Sequence, residues 1–143
     1  MRGIAIALVL LLQVAMGLAQ TPANAPSYRV IVHPSTPIAS VDRAFLGEIF
    51  LKKITRWRNG EPIYPVDLVD SPVRRRFNED VLQRSVAAVR SYWQQIVFSG
   101  RGLPPPELES EAEVVRYVLR TPGAVGYVSP DVATGGAKVL AVR

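Results

Sequence analysis

The order in which short β-branched runs and capped amphipathic segments follow one another constrains this chain more than any single motif. Tyr28-Arg29-Val30-Ile31-Val32-His33 reads as a strand bounded by Pro34. Ser40 then predicts the N-cap of a helix carrying Phe45, Leu46, Ile49 and Phe50 on one face. Asn59-Gly60 marks a turn, and Pro62 to Val69 reads as a short extended stretch whose prolines favour a sheet edge. Ser71-Pro72 is a helix start, because the serine oxygen can cap free N–H groups and a first-turn proline forfeits no helical bond. Val73, Phe77 and Val81 follow every four residues, so that helix buries one face.

The same alternation continues to the C-terminus. A helix is predicted from Ser85 to Phe98, with Val86, Val89, Trp93, Ile96 and Val97 at helical spacing, and Ser99 to Gly102 with Pro104 to Pro106 end it. Ser110-Glu111-Ala112-Glu113 has the capping-box pattern and opens a helix with Val114, Val115, Val118 and Leu119 inside. Thr121-Pro122-Gly123 stops it, with Gly123 read as a C-cap and Gly126 as a close-packing strand position. Ala124 to Ser129 reads as a strand, and Val139 to Val142 as a weaker one. Strands alternating with helices define the class: α/β, one small domain with a mixed sheet.

The residues before Tyr28 belong to a different category. Arg2, the apolar run Ile4 to Val14 and the small-x-small step Gly17-Leu18-Ala19 have the arrangement of a secretory signal peptide over residues 1–19, cleaved after Ala19. The run is short for a membrane span, so no stable span is expected after cleavage. Residues 20–27 form a linker of Thr, Pro, Ala, Asn and Ser, and the domain is expected over residues 28–143. Localisation is expected to be periplasmic or secreted. The chain has 143 residues, no Cys and one His, which excludes disulfides, thiolate chemistry and a multi-histidine metal centre within one chain. No metal or cofactor is expected. Its formal charge of +5 favours anionic ligands, anionic surfaces or simple solubility.

One charge run suggests chemistry. Arg74, Arg75 and Arg76 fall in the first turn after Ser71-Pro72, where the helix dipole already places positive charge. An oxyanion docked on free N–H groups and guanidinium forks would compensate. Local pairing would do so as well, Arg75 with Glu79 and Arg76 with Asp80, while Asp70 offsets charge nearby. Ser35 and Thr36, at a strand end, are second-line contributors of hydroxyls, against the alternative of local turn bonding. His33 and Ser35 do not make a hydrolytic pair, since no acid lies near in sequence to orient the imidazole. The basic cluster Lys52, Lys53, Arg56 and Arg58 around Trp57 reads as a turn with a buried Trp, so no nucleic-acid partner is expected. With no placed carboxylate pair, the chain is expected not to be an enzyme.

Leu46-Gly47-Glu48-Ile49-Phe50-Leu51-Lys52-Lys53-Ile54-Thr55-Arg56-Trp57-Arg58-Asn59-Gly60 resembles the signature of phosphate-type periplasmic substrate-binding proteins of ABC transporters. Phe77, Phe98-Ser99-Gly100 and Pro122-Gly123-Ala124-Val125-Gly126-Tyr127-Val128 fall in that family's order. The resemblance implies one lobe of a type 2 periplasmic-binding-protein fold, the second of two, with Tyr28 to Ser35 similar to the strand by which the chain enters it. It also implies an anion site at a helix start, built in the family from an Arg and a Ser-Gly-Thr turn. Here the position reads Asp70-Ser71-Pro72-Val73: Ser71 matches, Pro72 has no N–H to donate and Val73 has no hydroxyl. The expected site is therefore Ser71 as hydroxyl donor with Arg74 and Arg75 as charge partners, backed by Ser35 and Thr36. Two functions follow: non-catalytic recognition of phosphate or another small oxyanion, linked to ABC-type phosphate uptake, or a partner-binding or sensory module that kept the fold and lost the solute. The partner is then a small oxyanion or a periplasmic or membrane protein.

Overall fold

The computed structural model describes residues 26–143. The expected signal peptide and most of the 20–27 linker lie outside the described residues. Strands β1 (Arg29–Val32), β2 (Ser40–Val41), β3 (Tyr64–Pro65), β6 (Ala124–Val128) and β7 (Lys138–Val142) form one sheet in the order β2-β7-β1-β6-β3. It is mixed: β1 runs antiparallel to β6 and β7, whereas β2 is parallel to β7 and β3 parallel to β6. β4 (Asp67–Leu68) and β5 (Glu107–Leu108) pair in parallel as a separate ribbon. The helices are α1 (Arg43–Phe50), α2 (Pro72–Phe77), α3 (Val86–Phe98) and α4 (Glu111–Arg120), with a π-helical turn over Asn78–Leu82. No helix of the described residues is long and apolar enough to cross a membrane.

Burial follows the β-branched runs. Val30, Ile31 and Val32 of β1 and Ala124 to Val128 of β6 are buried along their length, as central strands covered on both faces require. α4 lies across β6 and β1 with Val114, Val115 and Val118 turned inward. Its start is the predicted capping structure: the Ser110 hydroxyl accepts from the Glu113 N–H, and the Glu113 carboxylate accepts from the Glu109 N–H, one residue before the cap itself. Ser71 and Ser85 likewise accept from the N–H groups of Arg74 and Ala88. Trp57 is buried, and its indole N–H donates to the Gly123 carbonyl, so the residue is structural as expected.

Four expectations need correction. Ser40 does not cap α1. It lies in β2, held beside Ala141 and Val142 of β7, and Asp42 stands at the cap position instead. The extended stretch Pro62 to Val69 splits in two: β3 sits at the sheet edge, as the prolines predicted, while β4 leaves that sheet to pair with β5. Val97, assigned to the inner face of α3, is 44% exposed. Gly123 is not a helix cap but the third residue of a Thr121-Pro122-Gly123-Ala124 turn. That turn is closed by the Ala124 N–H on the Thr121 carbonyl, with proline second and a positive φ of 85° at glycine, the type II pattern.

Gly126 does fill its predicted role. It pairs with Ile31 in register, and a Cβ there would stand 2.6 Å from Val114 Cγ1 and 3.0 Å from Val66 Cγ1. Both neighbours are β-branched and stiff about χ1, so neither can swing away. Gly126→Ala is expected to destabilise the fold by about 1–3 kcal/mol. Urea unfolding would show this as a lower midpoint at an unchanged slope.

Candidate functional site at the start of α2

Residues 67–77 carry the chain from β4 through Val69 and Asp70 into α2. Pro72 fixes the first turn and Val73 is buried, so the turn offers only a few polar groups. The Ser71 hydroxyl, expected to donate to an anion, accepts from the Arg74 N–H at 3.3 Å as the helix cap, a bond that leaves its own proton to donate. The Arg74 side chain is 3% exposed and turns inward rather than toward solvent. Its Nη1 donates to the Leu68 carbonyl at 2.6 Å and lies 2.9 Å from Glu107 Oε1; its Nη2 lies 3.3 Å from Asp67 Oδ2. Arg74 therefore ties α2 to both strands of the β4–β5 ribbon.

Asp67 completes the cluster from the other side. Its Oδ1 accepts from the Leu68 N–H at 2.9 Å and from the Tyr127 hydroxyl, which reaches across from β6. Burial pushes the Asp67 carboxyl above the usual carboxylate range, opposed by the Arg74 charge, the Tyr127 hydroxyl and the Leu68 N–H. Burial pulls the Arg74 guanidinium down, but the Asp67 and Glu107 carboxylates outweigh it and the net displacement is upward. Burial, reinforced by the Asp67 charge, holds the Tyr127 phenol neutral.

The remaining expected residues are placed elsewhere. Arg75 Nη1 lies 2.8 Å from Asp70 Oδ1 in an exposed pair. The expected Arg75–Glu79 and Arg76–Asp80 pairs do not form among the described residues. The helix widens into the π turn from Asn78, which removes the i,i+4 alignment those pairs need. Asp80 is instead engaged by the Tyr28 hydroxyl and Arg43. Ser35 and Thr36 lie at the other end of the sheet. β1 is antiparallel to β6, so the segment after Val32 sits beside Ala124, whereas Asp67 and α2 lie toward the Tyr127 end. Ser35 is bonded to His33 Nδ1 at 2.7 Å, the local turn alternative. Thr36 is buried, its carbonyl accepting from Lys138 Nζ. The structure thus brings Ser71, Arg74 and Arg75 together and separates Ser35 and Thr36 from them.

Asp67, Glu107 and Tyr127, the partners that decide what Arg74 does, were not foreseen as site residues. A signal for Asp67 exists: it is the one acid in the apolar run Ile63 to Val69, a position where an unpaired carboxylate is costly.

No family model and no curated protein matches the sequence. Solved structures do match the fold. A structure from Clostridium perfringens, described as a phosphate ABC transporter substrate-binding protein with bound phosphate, superposes with a TM-score of 0.64 at 18% identity, covering 81% of this chain and 44% of that one. An ABC-type phosphate transport receptor from Vibrio cholerae gives 0.61 at 16% identity, over 81% and 46%. PstS from Borrelia burgdorferi gives 0.57 at 15%, over 82% and 47%. The fold is that of one lobe of a phosphate-type substrate-binding protein, and the chain spans less than half the length of each of these proteins.

Proposed function

We propose that this chain is an exported, non-catalytic module of the substrate-binding-protein type that acts by docking a protein partner and does not hold a free oxyanion at the start of α2. The observation that carries this reading is the state of Arg74. Both terminal nitrogens of its guanidinium are already engaged, by Asp67, Glu107 and the Leu68 carbonyl. The Asp67 carboxylate supplies from within the chain the negative charge a bound oxyanion would supply from outside. An incoming phosphate would meet a guanidinium already paired with the Asp67 and Glu107 carboxylates and a proline without an N–H. Arg75 alone, exposed and paired with Asp70, offers a weak and salt-screened contact. The signal-like stretch at residues 1–19 supports export.

Calorimetric titration of the chain with phosphate, with sulfate and chloride at matched ionic strength, tests the reading. The expected result is no saturable, phosphate-selective heat and no phosphate-dependent gain in thermal stability. Saturable phosphate binding that Arg75→Ala abolishes would restore the oxyanion reading and sink this one.

A further inference from the structure

Beyond the α2 cluster, three of the five exposed large hydrophobic residues of the described chain gather at the end of α3 and the loop after it: Val97 at 44%, Phe98 at 89% and Leu103 at 68% exposure. Val97 and Phe98 line a groove of about 260 Å³ together with Trp93, Pro104 and the buried Arg74. That volume lies just under the range of small-molecule sites and suits one or two inserted side chains. The groove is held in shape before anything binds. Trp93 meets Tyr92 edge-on at 5.0 Å, and the Tyr92 hydroxyl donates to the Leu51 carbonyl, fixing α3 to the turn after α1.

The charge that α3 and the loop after it bring to the groove has one sign. No carboxylate occurs from Gln83 to Pro106, and neither Arg90, on the groove wall, nor Arg101, beside Phe98, pairs with a carboxylate among the described residues. Glu107 reaches the groove, but its carboxylate is held by Arg74 Nη1 at 2.9 Å. An apolar slot with an uncompensated cationic rim is complementary to apolar side chains flanked by acids. A second copy of the same face would bring arginines against arginines. A bilayer surface is flat and would not reach Trp93, which is 8% exposed.

We propose that the groove between α3 and the Pro104–Pro106 loop docks an acidic amphipathic segment of a partner protein, one apolar side chain entering over Trp93 and acidic neighbours meeting Arg90 and Arg101. This names the partner chemistry for the docking function proposed above and rests on it. The phosphate titration, however, reports on α2 alone, so the two readings fail separately.

The test uses the full chain, expressed in its own cells with a photo-activatable phenylalanine analogue at position 98 and irradiated. The cross-linked segment is mapped by mass spectrometry, synthesised and titrated against the unmodified chain. The expected segment is apolar and net acidic. Its Kd weakens at least about 10-fold with Phe98→Asp and with Arg90→Glu, and holds with Arg58→Glu in the Asn59-Gly60 turn. All three side chains are exposed, and matched thermal unfolding confirms that each variant is folded. Cross-links confined to lipid or to a second copy would overturn the proposal, as would a basic or uncharged segment or no cross-link at all. Peptide binding that survives Phe98→Asp would do the same. Parallel flotation with phosphatidylglycerol vesicles identifies the lipid outcome directly.

Discussion

Arg74→Met is expected to cost about 3–5 kcal/mol of folding free energy at neutral pH, the range for removing one partner from a buried ion pair. For a domain of this size that is a fall of upward of about 10 °C in unfolding midpoint. The methionine fills much of the volume of the arginine stem, so the loss reports on charge. What remains is a buried Asp67 carboxylate whose main opposing cation has gone, together with the Leu68 carbonyl left without its donor. The loss has a definite pH dependence. Asp67 already titrates above its unfolded value, so the native state binds more protons than the unfolded chain between the two, and the Asp67 contribution worsens as pH rises through that window. Without Arg74 the native value moves higher still. The deficit of the variant against the parent is therefore largest at neutral pH and shrinks toward acid, where Asp67 carries its proton.

Asp67→Asn added to Arg74→Met should recover much of the loss, because the amide keeps an acceptor for the Tyr127 hydroxyl without the charge. Glu107→Gln alone should cost no more than about 1 kcal/mol, since that carboxylate is 41% exposed and screened by solvent. Urea titrations of the four proteins across pH 4 to 8 decide the matter. A pH-independent deficit, or no rescue by Asp67→Asn, would mean that Arg74 acts through packing and that the cluster does not govern the charge at α2.

What the sequence made legible is local, and what it hid is pairwise. Ser71, Ser85 and Ser110 each open a helix because capping is decided within four residues. The β-branched run Val30–Val32 and the uncharged run Ala124–Val128 became central strands because burial on both faces matches their composition. Ser40 misled because two residues of pairing with β7, 101 residues further along the chain, outweigh a cap signal, and no local rule reports such a partner. The surroundings of the candidate site were hidden in the same manner. Three consecutive arginines look alike in sequence, yet Arg74 is buried, Arg75 faces Asp70, and Arg76 lines an open groove with Arg29, Arg43, Glu79 and Asp80. The difference between them is set by Asp67, Glu107 and Asp70, two of which reach Arg74 only through the β4–β5 pairing. Ser35 and Thr36 were separated from Ser71 by strand direction, which cannot be read before the sheet order is known.

Phe77→Ala is expected to be as costly as the loss of Arg74, about 3–5 kcal/mol, and for a reason that connects the core to the site. Phe77 is fully buried and meets three aromatic rings: stacked on Tyr127 at 3.9 Å, edge-on to Phe50 at 4.7 Å and edge-on to Tyr28 at 5.3 Å. Truncation leaves a cavity that these rings cannot close without abandoning other contacts. Tyr28 is tethered to Asp80 and Tyr127 to Asp67, so each can relax only by breaking a hydrogen bond. Phe77→Leu, which retains most of the volume, should cost distinctly less. The stacking also locates the Tyr127 hydroxyl over Asp67, so Phe77→Ala and Arg74→Met act on the same residue from two sides. Their combined effect should depart from the sum of the single effects by more than about 0.5 kcal/mol, beyond the scatter of independent sites. Strict additivity in that cycle would show that the aromatic cluster and the ion-pair cluster are separate units. Coupling would show that the buried charge at α2 is seated by the packing of the sheet beneath it.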